Sequence, residues 1–192
     1  SALKVGKAII YAKNAEGTIA DSCAVTVNPI AVTGITIDAT ELTLNVSQSD
    51  TLTAVINPTD ATDKSVTWTS DNEEVATVAN GIVTAVAAGT ANITVTTTDG
   101  GFKATCVVTV EQPVTGVSLD TTALTLDVPQ TATLKATVAP EDATDKSVTW
   151  ASDNETVATV AEGVVTAVAE GTANITVTTT DGGFKATCVV TV

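Results

Sequence analysis

The chain has 192 residues, of which 22 are acidic and 8 basic, giving a formal net charge of −14 with no histidine and no methionine. Every basic residue is a lysine, so histidine-based catalysis, zinc sites built on histidine and arginine clamps on phosphate are excluded, and the acidic balance argues against nucleic acid. Hydrophobic residues make up 44% of the chain and aromatic residues only 3%, which together with abundant threonine is typical of a β-rich extracellular protein.

The apolar residues fall in short runs. None approaches the roughly 20 apolar residues of a membrane-spanning helix, so we expect no membrane insertion by this segment. The sequence shows no charged region followed by an apolar one at its start, and any export signal is expected to precede it.

An internal repeat organises the chain. Residues 32–110 align without a gap on residues 114–192, an offset of 82 residues, and Trp68 aligns with Trp150. The segment that starts at Gly6 is a more divergent copy of the end of the same repeat. The alignment predicts three parts: 1–28, the C-terminal part of a truncated repeat; 29–110, a complete domain; and 111–192, a second complete domain.

Within each repeat, apolar and polar residues alternate. Leu42, Leu44 and Val46 are separated by polar residues, and the same period recurs in 51–56 and 91–96. A period of two predicts strands with one face in a core and one in water.

Turn signals separate these runs. Asn80-Gly81 and the Asp-Gly-Gly sequences at 99–101 and 181–183 tolerate the positive φ of tight turns. Short strands with turn signals every 8 to 12 residues predict an all-β chain of tandem antiparallel β-sandwich domains.

The boundaries between the parts are short and contain Pro29 and Pro113. Because proline fixes φ and lacks an N–H, we expect the domains to be restrained in angle and to form an elongated array.

The longest stretches that the two repeats share resemble a known family. VTWTSDNEEVATVANGIVTAVAAGTANITV, from Val66, and VTWASDNETVATVAEGVVTAVAEGTANITV, from Val148, resemble the bacterial immunoglobulin-like group 2 domain. The opening VTGVSLD and the closing ATCVVTV fit the same family, whereas residues 1–27 fit only its C-terminal strands. The resemblance implies an Ig-like sandwich of the kind found in intimin- and invasin-type adhesins, other surface proteins, ancillary modules of secreted enzymes and phage virion proteins.

Two residue types repeat with the domains. Trp68 and Trp150 are expected to be the large central pieces of their cores rather than ligand-stacking residues. Cys23, Cys106 and Cys188 occupy equivalent places, one in each part, so no part can form an internal disulfide, and each is expected to be a small core residue.

The sequence offers no catalytic constellation, and we predict no catalytic, cofactor-binding or metal-binding residue. The Ser-x-x-Lys pattern from Ser1 to Lys4 lacks its accompanying motifs, and no phosphate-binding or nucleophile-elbow motif is present.

For four other chemistries the sequence has candidate residues, but it favours plain structural roles for them. The four chemistries are calcium binding by loop aspartates, isopeptide crosslinks from lysine, ice or glycan binding by threonine faces, and glycosylation at Asn-Ile-Thr. Their candidate residues are Asp60, Asp63, Asp71, Asp142, Asp145 and Asp153 for calcium; Lys64, Lys103, Lys146 and Lys185 for crosslinks; Thr94 and Thr96; and Asn92 and Asn174.

The function expected from these observations is non-enzymatic: a tandem Ig-like stalk or spacer segment of a larger bacterial cell-surface or secreted protein. The alternatives are a phage virion decoration domain in tail or capsid with weak attachment to glycan or host surface, and accessory domains of a secreted carbohydrate-active enzyme. The expected partners are neighbouring domains of the same chain and a cell-surface glycan or protein, and the expected location is extracellular, on the cell surface or on a virion.

Residues 1–27 pose a separate question, because an isolated two-stranded hairpin is marginally stable in water. We expect this hairpin to be completed by upstream sequence or by another chain, or to pack against the following domain.

Overall fold

The computed structural model describes residues 4–192, and all regular elements within that range are β-strands. The predicted all-β fold class is therefore confirmed. None of these residues belongs to a helix long and apolar enough to cross a membrane.

The first element is a β-hairpin, called here the N-terminal hairpin, formed by β1 (Gly6–Lys13) and β2 (Ile19–Val27). The two strands run antiparallel, with Gly6 opposite Val27 and Ile10 opposite Cys23. Asn14 stabilises the connecting turn, because its side-chain oxygen accepts hydrogen bonds from the amides of Glu16 and Thr18.

Residues 29–110, called here the first module, form two facing groups of strands. One sheet has the order β4-β11-β10-β7, with β4 parallel to β11; the others have the orders β5-β9-β8 and β3-β6. The strands are β3 (Gly34–Ile37), β4 (Glu41–Asn45), β5 (Ser49–Thr51), β6 (Ala54–Asn57), β7 (Val66–Ser70), β8 (Ala76–Ala79), β9 (Ile82–Ala85), β10 (Gly89–Thr97) and β11 (Lys103–Glu111).

Residues 111–192, called here the second module, repeat this arrangement. The corresponding sheets have the orders β13-β20-β19-β16, β14-β18-β17 and β12-β15. The strands are β12 (Gly116–Leu119), β13 (Ala123–Thr125), β14 (Thr131–Thr133), β15 (Ala136–Ala139), β16 (Val148–Ser152), β17 (Ala158–Ala161), β18 (Val164–Ala167), β19 (Thr172–Thr179) and β20 (Lys185–Thr191).

The predicted tight turn at Asn80-Gly81 joins β8 to β9. Both residues have positive φ, 52° and 84°, as a type I′ turn requires. In the second module the same turn holds Glu162 at φ 47° followed by Gly163 at 83°. Glutamate is a poor residue for this conformation, because its Cβ crowds the following carbonyl oxygen.

The core of each module lies between the four-stranded sheet and the three-stranded sheet. Its fully buried side chains in the first module include Val83, Ile93, Cys106 and Val108, and the second module buries the equivalent set.

Trp68 and Trp150 pack against these cores, as predicted, but they are only half-buried, so the prediction that they form the centre is wrong. The tight turn explains their place: a Cβ added at Gly81 or Gly163 would lie 3.4 or 3.2 Å from a ring carbon of the Trp beside it. Each indole therefore covers its turn, while smaller aliphatic residues fill the middle.

Candidate functional site

The feature that carries most information about function is the junction between the modules. Strand β11 continues through Glu111, which lies opposite Asn45 on β4, and the Glu111 carbonyl accepts a hydrogen bond of 2.9 Å from the Val46 amide. Glu111, the residue at the boundary of the two modules, is therefore still part of the sheet of the first module.

The next residue already belongs to the second module. The Gln112 amide donates to the Thr144 hydroxyl at 2.7 Å, and the Thr144 amide donates to the Gln112 carbonyl at 2.8 Å. Two positions later, the Val114 amide donates to the Asp181 carboxylate at 2.7 Å, and the Val114 side chain is buried. Only Pro113 lies between these contacts, and its φ is fixed by its ring.

The same contacts occur 82 positions earlier, where residues 29–32 enter the first module. The Ile30 amide donates to the Thr62 hydroxyl at 2.8 Å, and the Thr62 amide donates to the Ile30 carbonyl at 2.9 Å. The Val32 amide donates to the Asp99 carboxylate at 2.8 Å. These contacts, from Thr62 and Asp99 in the first module and from Thr144 and Asp181 in the second, are called here the entry clamp. They recur in both repeats.

The position of the Asp181 carboxylate is set by a buried threonine. The Thr179 hydroxyl donates to the Asp181 carbonyl at 2.6 Å and accepts from the Phe184 amide at 2.9 Å, and Thr179 is only 2% exposed. The intervening Gly182 and Gly183 have φ of 73° and 62°, which the reversal requires. A buried hydroxyl with both partners satisfied holds the loop in one conformation.

The sequence predicts Asp99 and Asp181 as turn residues and does not predict their role in binding the linker. A signal was present, because the Val-Thr-Gly entry sequence and the Asp-Gly-Gly turn are separated by the same distance in both repeats. Val32 and Asp99 are 67 residues apart, as are Val114 and Asp181.

A cleft of about 480 Å³ lies at the junction, with walls from both modules. Glu111, Asp145 and Asp181 give it an acidic lining, and Thr144 and Pro113 contribute the rest of the described wall together with Asn45 and Gln112. Within residues 4–192, no three cysteine or carboxylate side chains are close enough together to hold a metal ion.

Four of the six aspartates that are candidate calcium ligands instead accept hydrogen bonds from their own module. Asp71 accepts from the amide and the side-chain nitrogen of Asn92, both at 2.7 Å, and these bonds lower the pKa of its carboxyl. Asp153 makes the same pair of bonds to Asn174, which lower its pKa as well. These contacts join the end of one strand to the adjacent strand.

Two other candidate pairs have local roles. Asp63 accepts from the Ser65 amide at 2.9 Å and from its hydroxyl at 2.5 Å, and Asp145 accepts from the Ser147 amide at 2.9 Å. These serine contacts lower the pKa of both aspartates. The structure does not bring Asp60 or Asp142 into a cluster with other acidic or cysteine ligands.

The cysteines divide into two classes. Cys106 and Cys188 are fully buried, as predicted, and burial raises the pKa of both thiols, with nearby carboxylates adding to the effect. Cys23 is exposed, contrary to the prediction, because strands β1 and β2 carry no second sheet over them. A raised pKa keeps the buried thiols neutral and unreactive.

The remaining sequence candidates have structural roles or none. Lys64, Lys103, Lys146 and Lys185 are exposed, and the Lys146 ammonium donates to the Glu141 carbonyl. The side chains of Asn92 and Asn174 are bound to Asp71 and Asp153, and the Thr94 hydroxyl pairs with that of Thr105 across the sheet. Of the Ser1 to Lys4 pattern, only Lys4 lies within the described residues.

Comparison with known proteins gives several matches. The chain is 40% identical over 170 residues to an Ig-like virion protein of Serratia phage KSP90, with 85% of this chain and 66% of the relative covered. It is 42% identical over 131 residues to an α-L-arabinofuranosidase of Bifidobacterium longum subsp. longum, with 66% of this chain and 12% of the enzyme covered. The chain thus spans less than two thirds of the length of either relative.

Among solved structures, the four N-terminal Ig domains of Dscam1 isoform 9.44 match with a TM-score of 0.52 and 17% identity, over 89% of this chain and 51% of that one. At this identity the likeness shows the fold alone. The model of the bacterial Ig-like domain (group 2) matches twice, at residues 31–108 and 113–190. The chain therefore belongs to the bacterial Ig-like domain (group 2) family, as a tandem pair of Ig-like domains.

Proposed function

We propose that this chain is a non-enzymatic spacer, a tandem Ig-like stalk segment of a larger bacterial cell-surface or secreted protein. The observation that carries the proposal is the clamped linker. Glu111 is held in the sheet of the first module, and Gln112 and Val114 are held by Thr144 and Asp181 of the second. Because these linker residues are held by one module or the other, the linker fixes the orientation of the second module relative to the first. A stalk requires such a fixed orientation.

The proposed division of the chain places residues 1–28 in an incomplete module and makes 29–110 and 111–192 complete ones. It is supported by the two family matches, which begin at residues 31 and 113, and by the recurrence of the entry clamp at Val32 and Val114. Each module then begins with the residues that its own loops bind.

The acidic surface fits the same role. The net charge of −14 is carried by side chains that lie mostly in exposed turns, such as Asp71, Glu73 and Glu74. A strongly negative surface keeps neighbouring copies apart and soluble. An extracellular or cell-surface location follows from this role.

Attachment to a virion is the second candidate function. It is favoured by the phage relative, of which this chain covers 66%, against 12% of the arabinofuranosidase. A third candidate, an accessory domain of a carbohydrate-active enzyme, is favoured by the arabinofuranosidase match. In all three functions the two modules act as a spacer or as an attachment surface. In each function the entry clamp fixes the orientation of one module relative to the other.

Small-angle X-ray scattering tests the spacer role. We compare the chain with a variant that carries Gly-Ser-Gly-Ser between Glu111 and Gln112, where the insertion separates the two sets of contacts. Scattering from the chain should fit one arrangement of the two modules, whereas scattering from the variant should require an ensemble of arrangements. The same insertion between Glu16 and Gly17, in the hairpin turn, is the matched control and should leave the relation of the two modules unchanged.

Two results would contradict the proposal. The first is scattering from the unmodified chain that requires an ensemble as wide as that of the variant with the insertion after Glu111. The second is release of sugar from any polysaccharide by the purified chain, since the spacer role assigns it no chemistry.

A further inference from the structure

The N-terminal hairpin presents an uncovered face. Strands β1 and β2 pair only with each other in the described structure, and both of their outer edges are unpaired. Ile10 is 61% exposed, and Cys23 beside it is exposed as well. An exposed apolar face and two open edges leave a two-stranded hairpin marginally stable at best.

The register of the hairpin identifies its missing neighbours. Ile10 lies opposite Cys23, as Ile93 lies opposite Cys106 in the first module. In the complete module both of these residues are fully buried, with 0% exposure. The hairpin is therefore the equivalent of β10 and β11 with the covering strands removed.

The complete module shows what covers this face and these edges. Strand β4 runs parallel to β11 along Val107–Glu111, and β7 runs antiparallel to β10 along Ile93–Thr97. Across the core, Leu52, Val83 and Ala76 belong to the group that packs with Ile93 and Cys106. All of these covering elements lie in residues 29–88.

We propose that the N-terminal hairpin is an acceptor for the front strands of an Ig-like module, and that its occupant is a polypeptide segment equivalent to residues 29–88. This proposal rests on the assignment of residues 1–28 to an incomplete module and not on the spacer role. Addition of strands to open sheet edges is an established mode of recognition, with backbone hydrogen bonds providing affinity and side-chain pockets specificity.

Most inward side chains of the hairpin match those that the front strands cover in the first module. Ala8, Ile10 and Cys23 keep the residue types of Ala91, Ile93 and Cys106. Val25 and Val27 likewise keep those of Val108 and Val110. Two described positions on this face differ. Ala12 stands in place of Val95, which removes two methyl groups, and Asp21, paired with Ala12, stands in place of the half-buried Ala104 and adds a carboxylate at the turn end of the face.

The charges are complementary as well. Residues 4–28 contain three lysines and two acidic residues, whereas residues 29–88 contain eight acidic residues and one lysine. A segment of that composition is attracted to the hairpin more than to the acidic surface of the complete modules.

Thiol reactivity provides the test, because the three cysteines occupy equivalent positions. In the 192-residue chain we expect a maleimide to modify Cys23 at least about 100-fold faster than Cys106 or Cys188, which react only through opening of their modules. Site-resolved mass spectrometry gives the three rates in one sample. A copy of residues 29–88 is then joined directly to Gly6 in place of residues 1–5, and the rate at Cys23 should fall to that of the other two.

Adjacent isoleucines supply the matched variants. Ile10 faces inward and Ile9 faces outward, and in the present chain they are similarly exposed, at 61% and 56%. In the extended chain Ile10→Asp should restore the fast reaction of Cys23, whereas Ile9→Asp, at the position equivalent to the exposed Asn92, should leave Cys23 protected.

Three outcomes would overturn the proposal. Cys23 could stay fully reactive in the extended chain while Cys106 and Cys188 remain protected, which would mean that the segment does not cover the hairpin. Cys23 could be protected in the dilute 192-residue chain, which would place the hairpin against its own modules. Protection that increases with the concentration of the 192-residue chain would identify a second copy as the occupant.

Discussion

The Asp181 carboxylate accepts a hydrogen bond of 2.7 Å from the amide of Val114, which lies 67 residues earlier in the chain. Asp99 makes the same contact to Val32 at 2.8 Å. A turn near the end of each module therefore binds a residue close to the start of that module. The direction of the entering chain is fixed by the module it enters.

Removal of the Asp181 carboxylate should release the linker. Asp181→Ala leaves the Val114 amide without its acceptor, and hydrogen bonds to charged groups contribute about 1.5–3 kcal/mol when well formed. Because Asp181 is half-buried, we expect a loss of about 1–2 kcal/mol from the second module. Hydrogen exchange at the Val114 amide should accelerate.

Asp99→Ala is the matched control for this change. It should accelerate exchange at Val32 and leave Val114 unaffected, since the two clamps share no residue. Unchanged exchange at Val114 in Asp181→Ala would show that the contact does not restrain the linker.

Stability should fall in acid. The Asn92 side chain and amide lower the pKa of Asp71, and Asn174 does the same for Asp153. A carboxyl with a lowered pKa contributes stability that is fully present above its unfolded pKa of about 3.9 and is lost as the pH falls through the folded pKa. Urea unfolding should therefore give a free energy that decreases below about pH 4.

The double variant Asp71→Asn and Asp153→Asn tests the source of that dependence. It should be less stable at pH 6 and lose less stability between pH 6 and pH 2.5 than the parent chain. Equal slopes for the variant and the parent would assign the acid sensitivity to other groups.

Glu162 offers a stabilising change. It has φ of 47° in the turn where the first module has Asn80, and a left-handed conformation costs most L-residues about 1–2 kcal/mol, with asparagine tolerating it better. Glu162→Asn should raise the stability of the second module by about 1 kcal/mol in calorimetric unfolding. The reverse change, Asn80→Glu, should lower that of the first by a similar amount, and a neutral result for both would remove the conformational explanation.

Because the tryptophans are half-buried, their replacement should lower the free energy of unfolding by less than it would at a fully buried position. Ile175 is fully buried, so Ile175→Ala should cost about 2–5 kcal/mol. Trp150→Ala should cost less than the roughly 3–5 kcal/mol of a fully buried tryptophan, because part of the indole is already in water. Chemical unfolding of both variants gives the comparison, and a larger loss for Trp150→Ala would restore the indole to the centre of the core.

Much of the fold could be read from the sequence, since the alternation at Leu42 and Leu44 and the Asn80-Gly81 turn are local patterns with direct structural meaning. The burial of Trp68 could not, because it depends on how closely Gly81 approaches the ring. The exposure of Cys23 followed from the missing sheet rather than from its own neighbours. Likewise, the Asp181 contact joins positions far apart in sequence and required the three-dimensional arrangement.

Residual dipolar couplings of backbone amides, measured in a weakly aligned sample of the 192-residue chain, test the clamped junction most directly. If Glu111, Gln112 and Val114 hold the modules as the hydrogen bonds indicate, couplings from residues 34–110 and 116–191 should fit a single alignment tensor. Two tensors of different magnitude, with the smaller from one module, would mean that the modules reorient independently and would contradict the spacer function.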